Sequence, residues 1–248
     1  MRTNNVNVTN RISPTPSAER AHPLPALLFD VDGTLVDSAY EHVRAWRQTF
    51  DDYQLEIPSW KIHRHIGMSG RFFLPKLLRE INKTGGEKRI ATLEKHRAKY
   101  FNREIKQIRP LPGASQLLRR LTRLRVPWAI ATSGDKKQAD ILLRSLHIPK
   151  AVPVVTGDDV KNAKPAPDIF MLAAERLSVG IEDAIIVGDS PWDLLAGRRM
   201  KAMGVGLLCG GYGQEELERA GAHRVYESPW ELMENLEDLG IDDSPGKR

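Results

Sequence analysis

The spacing of apolar residues divides the chain into two kinds of region. Between about residues 39 and 106, apolar residues recur at three- and four-residue intervals, which is typical of helices packed on one face. Before and after this block, short continuous apolar runs alternate with helical patterns. Strands buried on both faces of a parallel sheet have such runs, and the first is Ala26–Val31. The pattern predicts an α/β protein whose parallel sheet is interrupted, after its first strand, by an inserted helical domain.

The predicted elements follow this pattern along the whole chain. Strands are predicted at Ala26–Val31, Trp128–Ala131, Val152–Val155, Ala184–Val187, Val205–Leu208 and Arg224–Tyr226. Core helices are predicted at Ala114–Leu124, Lys136–Leu146, Asp168–Leu177, after Pro191, and at Trp230–Leu239, and inserted helices near 39–52, 58–66, 70–82 and 87–106. The chain then divides into a flexible N-terminal tail (1–25), an α/β core (26–37 and 111–240), the inserted helices (38–110) and a C-terminal tail (241–248).

The composition is that of an ordinary globular protein. Of the 248 residues, 41% are hydrophobic and 28% charged, and no apolar run reaches the roughly 18 residues of a membrane span. The first 25 residues lack the apolar block of a secretory signal. Cys209 is the single cysteine, which fits a reducing compartment. We therefore expect a cytoplasmic protein with no membrane partner, either a monomer or a homodimer.

The net charge of +5 is unevenly distributed. Residues 38–109 contain 16 Lys or Arg and 8 Asp or Glu, a balance of +8. A basic segment can steer an anionic substrate or bind nucleic acid. Aromatic residues make up only 6% of the chain and no nucleic-acid-binding motif is present, so we expect no nucleic-acid partner. Most of these charges are expected on solvated helix faces.

Two aspartates follow the first predicted strand. Side chains alternate along a strand, so Asp30 and Asp32 reach one pocket only if the chain leaves the strand at Asp32. Gly33, the next residue, has the conformational freedom to allow this. In such a pair one carboxylate can attack or bind a metal ion while the other transfers protons.

Polar groups also follow two later apolar segments. Thr132, Ser133 and Gly134 follow the second strand, and hydroxyls beside exposed backbone N–H groups suit phosphoryl oxygens. Lys164 precedes Pro165 in a loop before a helix, and proline moves the preceding residue out of helical geometry. A lysine held in this way can place a fixed positive charge against a phosphoryl group.

The last of these clusters is Gly188-Asp189-Ser190, at the end of another apolar run, with Asp193 following at a four-residue interval. Mg²⁺ takes oxygen ligands and usually only a few carboxylates. Asp189 and Asp30 form a suitable pair, because the carboxyl ends of parallel strands share one edge of the sheet. Asp193 is expected to orient the site.

Together these segments resemble the four motifs of the haloacid dehalogenase superfamily, namely FDVDGTLVDS, the strand ending in TSG, KPAP and GDSPWD. The resemblance implies a Rossmann-like parallel sheet core and an α-helical cap formed by 38–110. It also implies a phosphatase in which Asp30 attacks phosphorus to form an aspartyl-phosphate and Asp32 is the general acid and base. Thr132, Ser133 and Lys164 would then bind the phosphoryl oxygens. Mg²⁺ would be bound by Asp30, Asp189 and the backbone carbonyl of Asp32.

The expected substrate is a small phosphorylated metabolite, such as phosphoglycolate or a sugar phosphate. A phosphomutase resembling β-phosphoglucomutase is the alternative, since His42–Trp46 resembles the cap entry of those enzymes. They typically have Glu-Asp where this chain has Gly188-Asp189, which favours a phosphatase. A receiver-like signalling domain is less favoured, because such domains lack the long insertion. A noncatalytic phosphate-binding protein is less favoured too, because all the motif residues are present.

Within the cap, Arg71 is the predicted substrate-binding residue, because Ile66–Arg71 contains two glycines in a helical region and ends in a cation that can pair with an anion. His63 and His65 lie close by in the sequence and are expected at the cap surface. His42 and Trp46 are expected to pack at the hinge rather than to contact substrate.

Overall fold

The computed structural model describes residues 24–242. Its centre is a six-stranded parallel sheet in the order β3-β2-β1-β4-β5-β6. The strands are β1 Ala26–Phe29, β2 Trp128–Ala131, β3 Val154–Val155, β4 Ala184–Gly188, β5 Met203–Leu207 and β6 Ala222–Tyr226. The predicted α/β class with a parallel sheet is confirmed.

Four helices separate β1 from the rest of the sheet, and six more accompany the later strands. The first group is α1 Ala39–Asp52, α2 Ser59–His63, α3 Gly70–Glu80 and α4 Glu87–Glu104. The second is α5 Ala114–Arg123, α6 Lys136–Arg144, α7 Asp168–Leu177, α8 Pro191–Met200, α9 Gln214–Ala220 and α10 Pro229–Glu234. None of the helices within residues 24–242 has both the length and the apolar character needed to cross a membrane.

The central strand β1 is buried on both faces. Leu27 pairs with Trp128 on one side and Ile185 on the other. Leu27 and Phe29 belong to one apolar cluster, while Leu28 belongs to the cluster on the opposite face, as the alternation of side chains requires. The carboxyl end of this strand is therefore fixed in the middle of the sheet edge, and whatever follows Phe29 is held there.

The cap has an apolar core of its own. The Trp46 ring stacks on Phe50 at 5.3 Å between centroids and meets Phe73 edge-on at 5.2 Å. A bridge between Val36 and Pro110 marks the points where the chain leaves the sheet and returns to it. The inserted helices therefore form a unit that is joined to the core by two neighbouring connecting segments.

Several element boundaries differ from the prediction. The strand predicted at Val152–Val155 has only two residues, because Pro153 lacks the N–H that a ladder needs. The helix predicted over Trp230–Leu239 ends at Glu234, where the Asn235 side-chain amide donates to the Glu231 carbonyl and competes with the helical pattern. A separate 3₁₀ turn covers Leu236–Leu239.

Other differences are smaller. The first strand ends at Phe29 rather than at residue 31, the fifth begins at Met203, and the second cap helix ends at His63 rather than at residue 66. The predicted tails, 1–25 and 241–248, lie almost entirely outside the described residues.

Candidate active site

A cavity of about 540 Å³ separates the carboxyl ends of the strands from the cap. Asp30 and Asp32 line it from the core, and Trp46, Arg71 and Arg97 are among the residues that line it from the cap. This volume is within the range of small-molecule sites. The structure thus places both aspartates of the first motif where a bound molecule can reach them.

Lys164 is fully buried between two carboxylates. Its Nζ lies 2.6 Å from Asp30 Oδ1 and 2.7 Å from Asp193 Oδ1. The other oxygen of Asp193 accepts hydrogen bonds from the backbone N–H (3.2 Å) and hydroxyl (2.6 Å) of Ser190, at the start of α8. Asp193 therefore fixes the lysine ammonium against Asp30.

The charges in this cluster are strongly coupled. Burial raises the pKa of Asp30 to about 7, although the Lys164 charge opposes this shift. Burial acts to lower the pKa of Lys164, but the carboxylates of Asp193 and Asp30 outweigh it and raise that pKa above its usual value. The lysine is therefore a permanent cation, and the buried acidic groups carry more negative charge than it can balance.

Asp189 lies beside this cluster, at the end of β4. The Thr34 hydroxyl donates to its Oδ1 at 2.8 Å. Gly33, at a φ of +78°, and Gly210 approach its carboxylate so closely that a Cβ at Gly210 would lie 1.8 Å from Asp189 Oδ2. Burial, together with Asp193 and Asp30, raises the pKa of Asp189. A buried carboxylate with too little compensating charge is a site for a cation.

The donor set fits a hard divalent cation. One carboxylate oxygen from each of Asp30, Asp189 and Asp193 lies within 4.8 Å of the others, and all three residues are buried. Oxygen-only ligands favour Mg²⁺ over softer metals. Both oxygens of Asp193 already have partners, Lys164 for one and Ser190 for the other, so Asp30 and Asp189 are the better candidates for direct ligands.

The second aspartate of the first motif has different neighbours. Asp32 Oδ1 accepts a hydrogen bond from the Ser38 hydroxyl at 2.6 Å and lies 3.0 Å from His42 Nε2. Burial alone would raise the pKa of Asp32, but interaction with the His42 imidazole and the Ser38 hydroxyl reverses the shift and lowers it to about 2. Two aspartates two residues apart thus have opposite pKa shifts, which suits them to different roles.

His42 does more than the predicted hinge packing. Its ring stacks on Phe101 of α4 at 3.9 Å, while its edge contacts Asp32. Sequence reasoning missed this contact, although its position one turn into α1, directly after the first motif, was a usable signal. It also missed Arg97, whose Nη1 lies 3.5 Å from His42 Nδ1. Nothing in the sequence distinguished Arg97 from the other basic residues of α4.

The remaining predicted residues vary in their contacts. Thr132 is buried, and its Oγ1 accepts a hydrogen bond from Gly134 N at 3.1 Å. Ser133 lines the cavity, but its hydroxyl donates to the Gly67 carbonyl of the cap at 3.2 Å. Arg71 also lines the cavity and is exposed.

The two cap histidines are not simply surface residues. His63 Nε2 lies 2.8 Å from the Gly210 carbonyl, and its ring stacks between Tyr40 and Tyr212 with centroids 5.1 Å and 5.0 Å away. His65 is half-buried, and its ring packs against Phe73. His63 thus joins the cap to the loop that supports Asp189.

A parallel α/β core with buried carboxylates at its strand ends, covered by an inserted helical cap, defines a capped α/β enzyme. The sequence model of the haloacid dehalogenase-like hydrolases matches residues 24–201. The chain belongs to this family, which confirms the resemblance of its four motifs.

Individual relatives extend this result. Hexitol phosphatase A of Escherichia coli (strain K12) is 32% identical over 174 residues, 68% of this chain and 76% of that protein. The crystal structure of a hydrolase from Pseudomonas syringae has a TM-score of 0.83 and 43% identity, covering 86% of this chain and 98% of that one. A β-phosphoglucomutase from Clostridium difficile has a TM-score of 0.76 at 24% identity over 87% of this chain and 96% of that one, which shows a shared fold.

Proposed function

We propose that the protein is a Mg²⁺-dependent phosphatase that hydrolyses a small phosphorylated metabolite, of the sugar-phosphate or phosphoglycolate type, through an aspartyl-phosphate. The observation that carries the proposal is the position of Asp30. It borders the cavity, lies 2.6 Å from the Lys164 ammonium and is two residues from a second carboxylate. The names of the relatives, a hexitol phosphatase among them, agree with this chemistry.

In the first half of the reaction, an Asp30 oxygen attacks phosphorus, and the bond from phosphorus to the leaving oxygen breaks. Lys164 offsets the repulsion between the carboxylate and the phosphoryl group. Asp32 gives its proton to the leaving oxygen. The low pKa of Asp32 in the free protein is raised by a bound phosphoryl dianion, since a nearby negative charge favours the protonated form.

In the second half, Asp32 has become a carboxylate held by Ser38 and His42, and it accepts a proton from water. The water oxygen attacks phosphorus, the bond to Asp30 breaks, and inorganic phosphate leaves. His42 and Ser38 stabilise the charged form of Asp32 and so favour this proton transfer. Thr132 and Ser133, at the end of β2, are the proposed partners of the phosphoryl oxygens.

Asp30, Asp189 and the backbone carbonyl of Asp32 are the proposed ligands of Mg²⁺. When bound, the ion would neutralise charge on the phosphoryl oxygens and on the carboxylates. Asp193 would keep Lys164 on Oδ1 of Asp30, which leaves the other oxygen of Asp30 for the metal ion.

The phosphomutase alternative shares this first half-reaction and differs in what receives the phosphoryl group. Incubation with β-glucose 1-phosphate and its bisphosphate tests it directly. A phosphatase releases inorganic phosphate and forms no glucose 6-phosphate. Accumulation of glucose 6-phosphate without phosphate release would replace the phosphatase proposal with the mutase one.

The primary test is the release of p-nitrophenol from p-nitrophenyl phosphate, with and without Mg²⁺. We expect turnover only with the metal, and none above background in Asp30→Asn, which keeps the size of the side chain. Asp32→Ala should also be severely impaired. A few per cent or more of the wild-type rate in Asp30→Asn would exclude a covalent aspartyl intermediate. Absence of turnover of p-nitrophenyl phosphate, sorbitol 6-phosphate and phosphoglycolate alike, in a wild-type protein that binds Mg²⁺, would reject the phosphatase proposal.

A further inference from the structure

The cap wall of the cavity contains two charged side chains that form no ion pair with the residues that the structure describes. Glu94 and Arg97 are one turn apart on α4, and both line the cavity. Arg97 Nε is buried and has no hydrogen-bond partner among residues 24–242. In the same part of the chain, neither side chain forms an ion pair within 4.0 Å. Unpaired buried donors are costly, so such a group in a cavity wall is a candidate for binding a ligand.

The neighbours of Arg97 hold its side chain in place without accepting a hydrogen bond from its Nε. Its guanidinium carbon lies 5.8 Å and 5.9 Å from the ring centroids of Trp46 and Phe101, so its position is fixed by two aromatic faces. Glu94 lies against the start of α3, since a Cβ at Gly70 would be 2.6 Å from its Oε1. The pair therefore presents guanidinium donors beside a carboxylate acceptor.

Three other polar side chains of the cavity wall already have hydrogen-bond partners in the protein. Asp135 Oδ1 accepts from the backbone N–H of Gln138 at 2.9 Å, and the Gln138 side chain donates to Asn102 at 3.2 Å. Asp158 accepts from the backbone N–H of Lys136 at 3.0 Å. Their hydrogen bonds hold these groups in the protein, whereas Glu94 and Arg97 are open to a ligand.

The position of the pair identifies which part of a substrate it meets. Arg97 lies 3.5 Å from His42, which lies 3.0 Å from Asp32. Asp32 gives its proton to the leaving oxygen, so the leaving group occupies the side of the cavity that Glu94 and Arg97 line. This step rests on the proposed phosphatase function.

We propose that Glu94 and Arg97 bind hydroxyl groups of the leaving alcohol and select polyol or sugar phosphates over substrates whose leaving group carries a carboxylate. A hydroxyl both donates and accepts, so it matches a carboxylate beside a guanidinium. A leaving group with its own carboxylate would enter a cavity lined by Glu94, Asp135 and Asp158, in which Arg97 is the half-buried cation and Arg71 and Lys161 are exposed to solvent. The substrate class is therefore a hydroxylated phosphomonoester, and Arg71, the residue chosen from the sequence, is not the main determinant.

The test compares kcat/KM for sorbitol 6-phosphate and phosphoglycolate. The wild type should prefer sorbitol 6-phosphate by about 10-fold or more. Glu94→Gln and Arg97→Met should each lower kcat/KM for sorbitol 6-phosphate by about 10-fold or more, chiefly through KM, and Arg97→Lys should recover part of the loss. Glu94→Gln should also lower the ratio of kcat/KM for sorbitol 6-phosphate to kcat/KM for phosphoglycolate, because it removes a charge that repels the glycolate carboxylate.

Glu87→Gln and Lys95→Met are the matched controls, since both residues are exposed on the same helix. They should leave the ratio unchanged. Equal losses for both substrates in Glu94→Gln, or a wild-type preference for phosphoglycolate, would overturn the inference while p-nitrophenyl phosphate hydrolysis still supported the phosphatase. A wild type that hydrolyses none of the three compounds would instead overturn the proposed function and the inference with it.

Discussion

The imidazole Nε2 of His42 lies 3.0 Å from Asp32 Oδ1, so a residue of the cap contacts a carboxylate of the core. This contact makes the charge state of Asp32 depend on the position of the first cap helix. If α1 shifts relative to the sheet, Asp32 loses the partner that lowers its pKa. The cap therefore affects proton transfer by Asp32, and it also encloses the cavity.

His42→Phe tests this coupling. Phenylalanine can keep the stack on Phe101 but cannot contact Asp32, so we expect kcat for sorbitol 6-phosphate to fall by about 10-fold or more. The loss should extend to p-nitrophenyl phosphate, because hydrolysis of the aspartyl-phosphate, the half-reaction that the His42 contact favours, is the same for both substrates. His96→Phe is the matched control, because His96 is on α4 and its ring packs edge-on against Tyr53. An unchanged kcat in His42→Phe, or an equal loss in His96→Phe, would show that His42 has only a structural role.

The four motifs could be predicted because each directly follows an apolar run or lies in a proline-containing loop. Asp30, Thr132 and Asp189 each come after a strand that is buried for its whole length. Parallel strands end at one edge of the sheet, so a local pattern was sufficient to bring distant residues together.

The cap side of the site could not be predicted in the same way. Helix α4 has polar residues at most of its positions, and its pattern does not show which of them face a cavity formed with another domain. The packing of α4 on α1 turns Glu94 and Arg97 toward the cavity. Arg71 was the more visible choice in the sequence, because Gly67 and Gly70 precede it. The contact of His63 with Gly210 spans 147 residues and has no local signal either.

Asp32 should make stability depend on pH in a defined direction. The pKa of Asp32 is lowered from 3.8 in the unfolded chain to about 2 in the folded protein. Ionised Asp32 therefore stabilises the fold fully at pH values above 3.8, and this stabilisation is lost as the pH falls from there through about 2. The shift corresponds to about 2 kcal/mol, of which about half should be lost by about pH 3. Urea unfolding of the wild type and Asp32→Asn between about pH 6 and pH 3 measures it. A difference in unfolding free energy that stays constant over this range would contradict the shift.

Removal of the buried lysine should affect both stability and activity. In Lys164→Met, Asp30 and Asp193 lose their shared cation, and we expect a loss of about 3–5 kcal/mol near neutral pH. Lys61→Met is the matched control, because the Lys61–Glu80 pair is at the surface and should cost at most about 1 kcal/mol. Chemical denaturation gives both values, and p-nitrophenyl phosphate turnover should be abolished only in Lys164→Met. Similar stability losses in the two variants would mean that Asp30 and Asp193 are not ionised together in the fold.

Gly210→Ala tests whether the carboxylate of Asp189 binds the metal ion. The added Cβ would lie 1.8 Å from Asp189 Oδ2, so either the carboxylate or the loop after β5 must move. Displacing a ligand in this way should weaken Mg²⁺ binding by about 10- to 100-fold, which is the usual effect of disturbing the groups that orient a metal ligand. Gly86→Ala is the control, since a Cβ there has no atom within 4 Å. Calorimetric titration with Mg²⁺, compared with the Mg²⁺ dependence of p-nitrophenyl phosphate hydrolysis, measures both effects. Unchanged Mg²⁺ affinity in both Gly210→Ala and Asp189→Asn would remove Asp189 from the proposed ligand set, because the second change removes the carboxylate charge whether or not the loop after β5 moves.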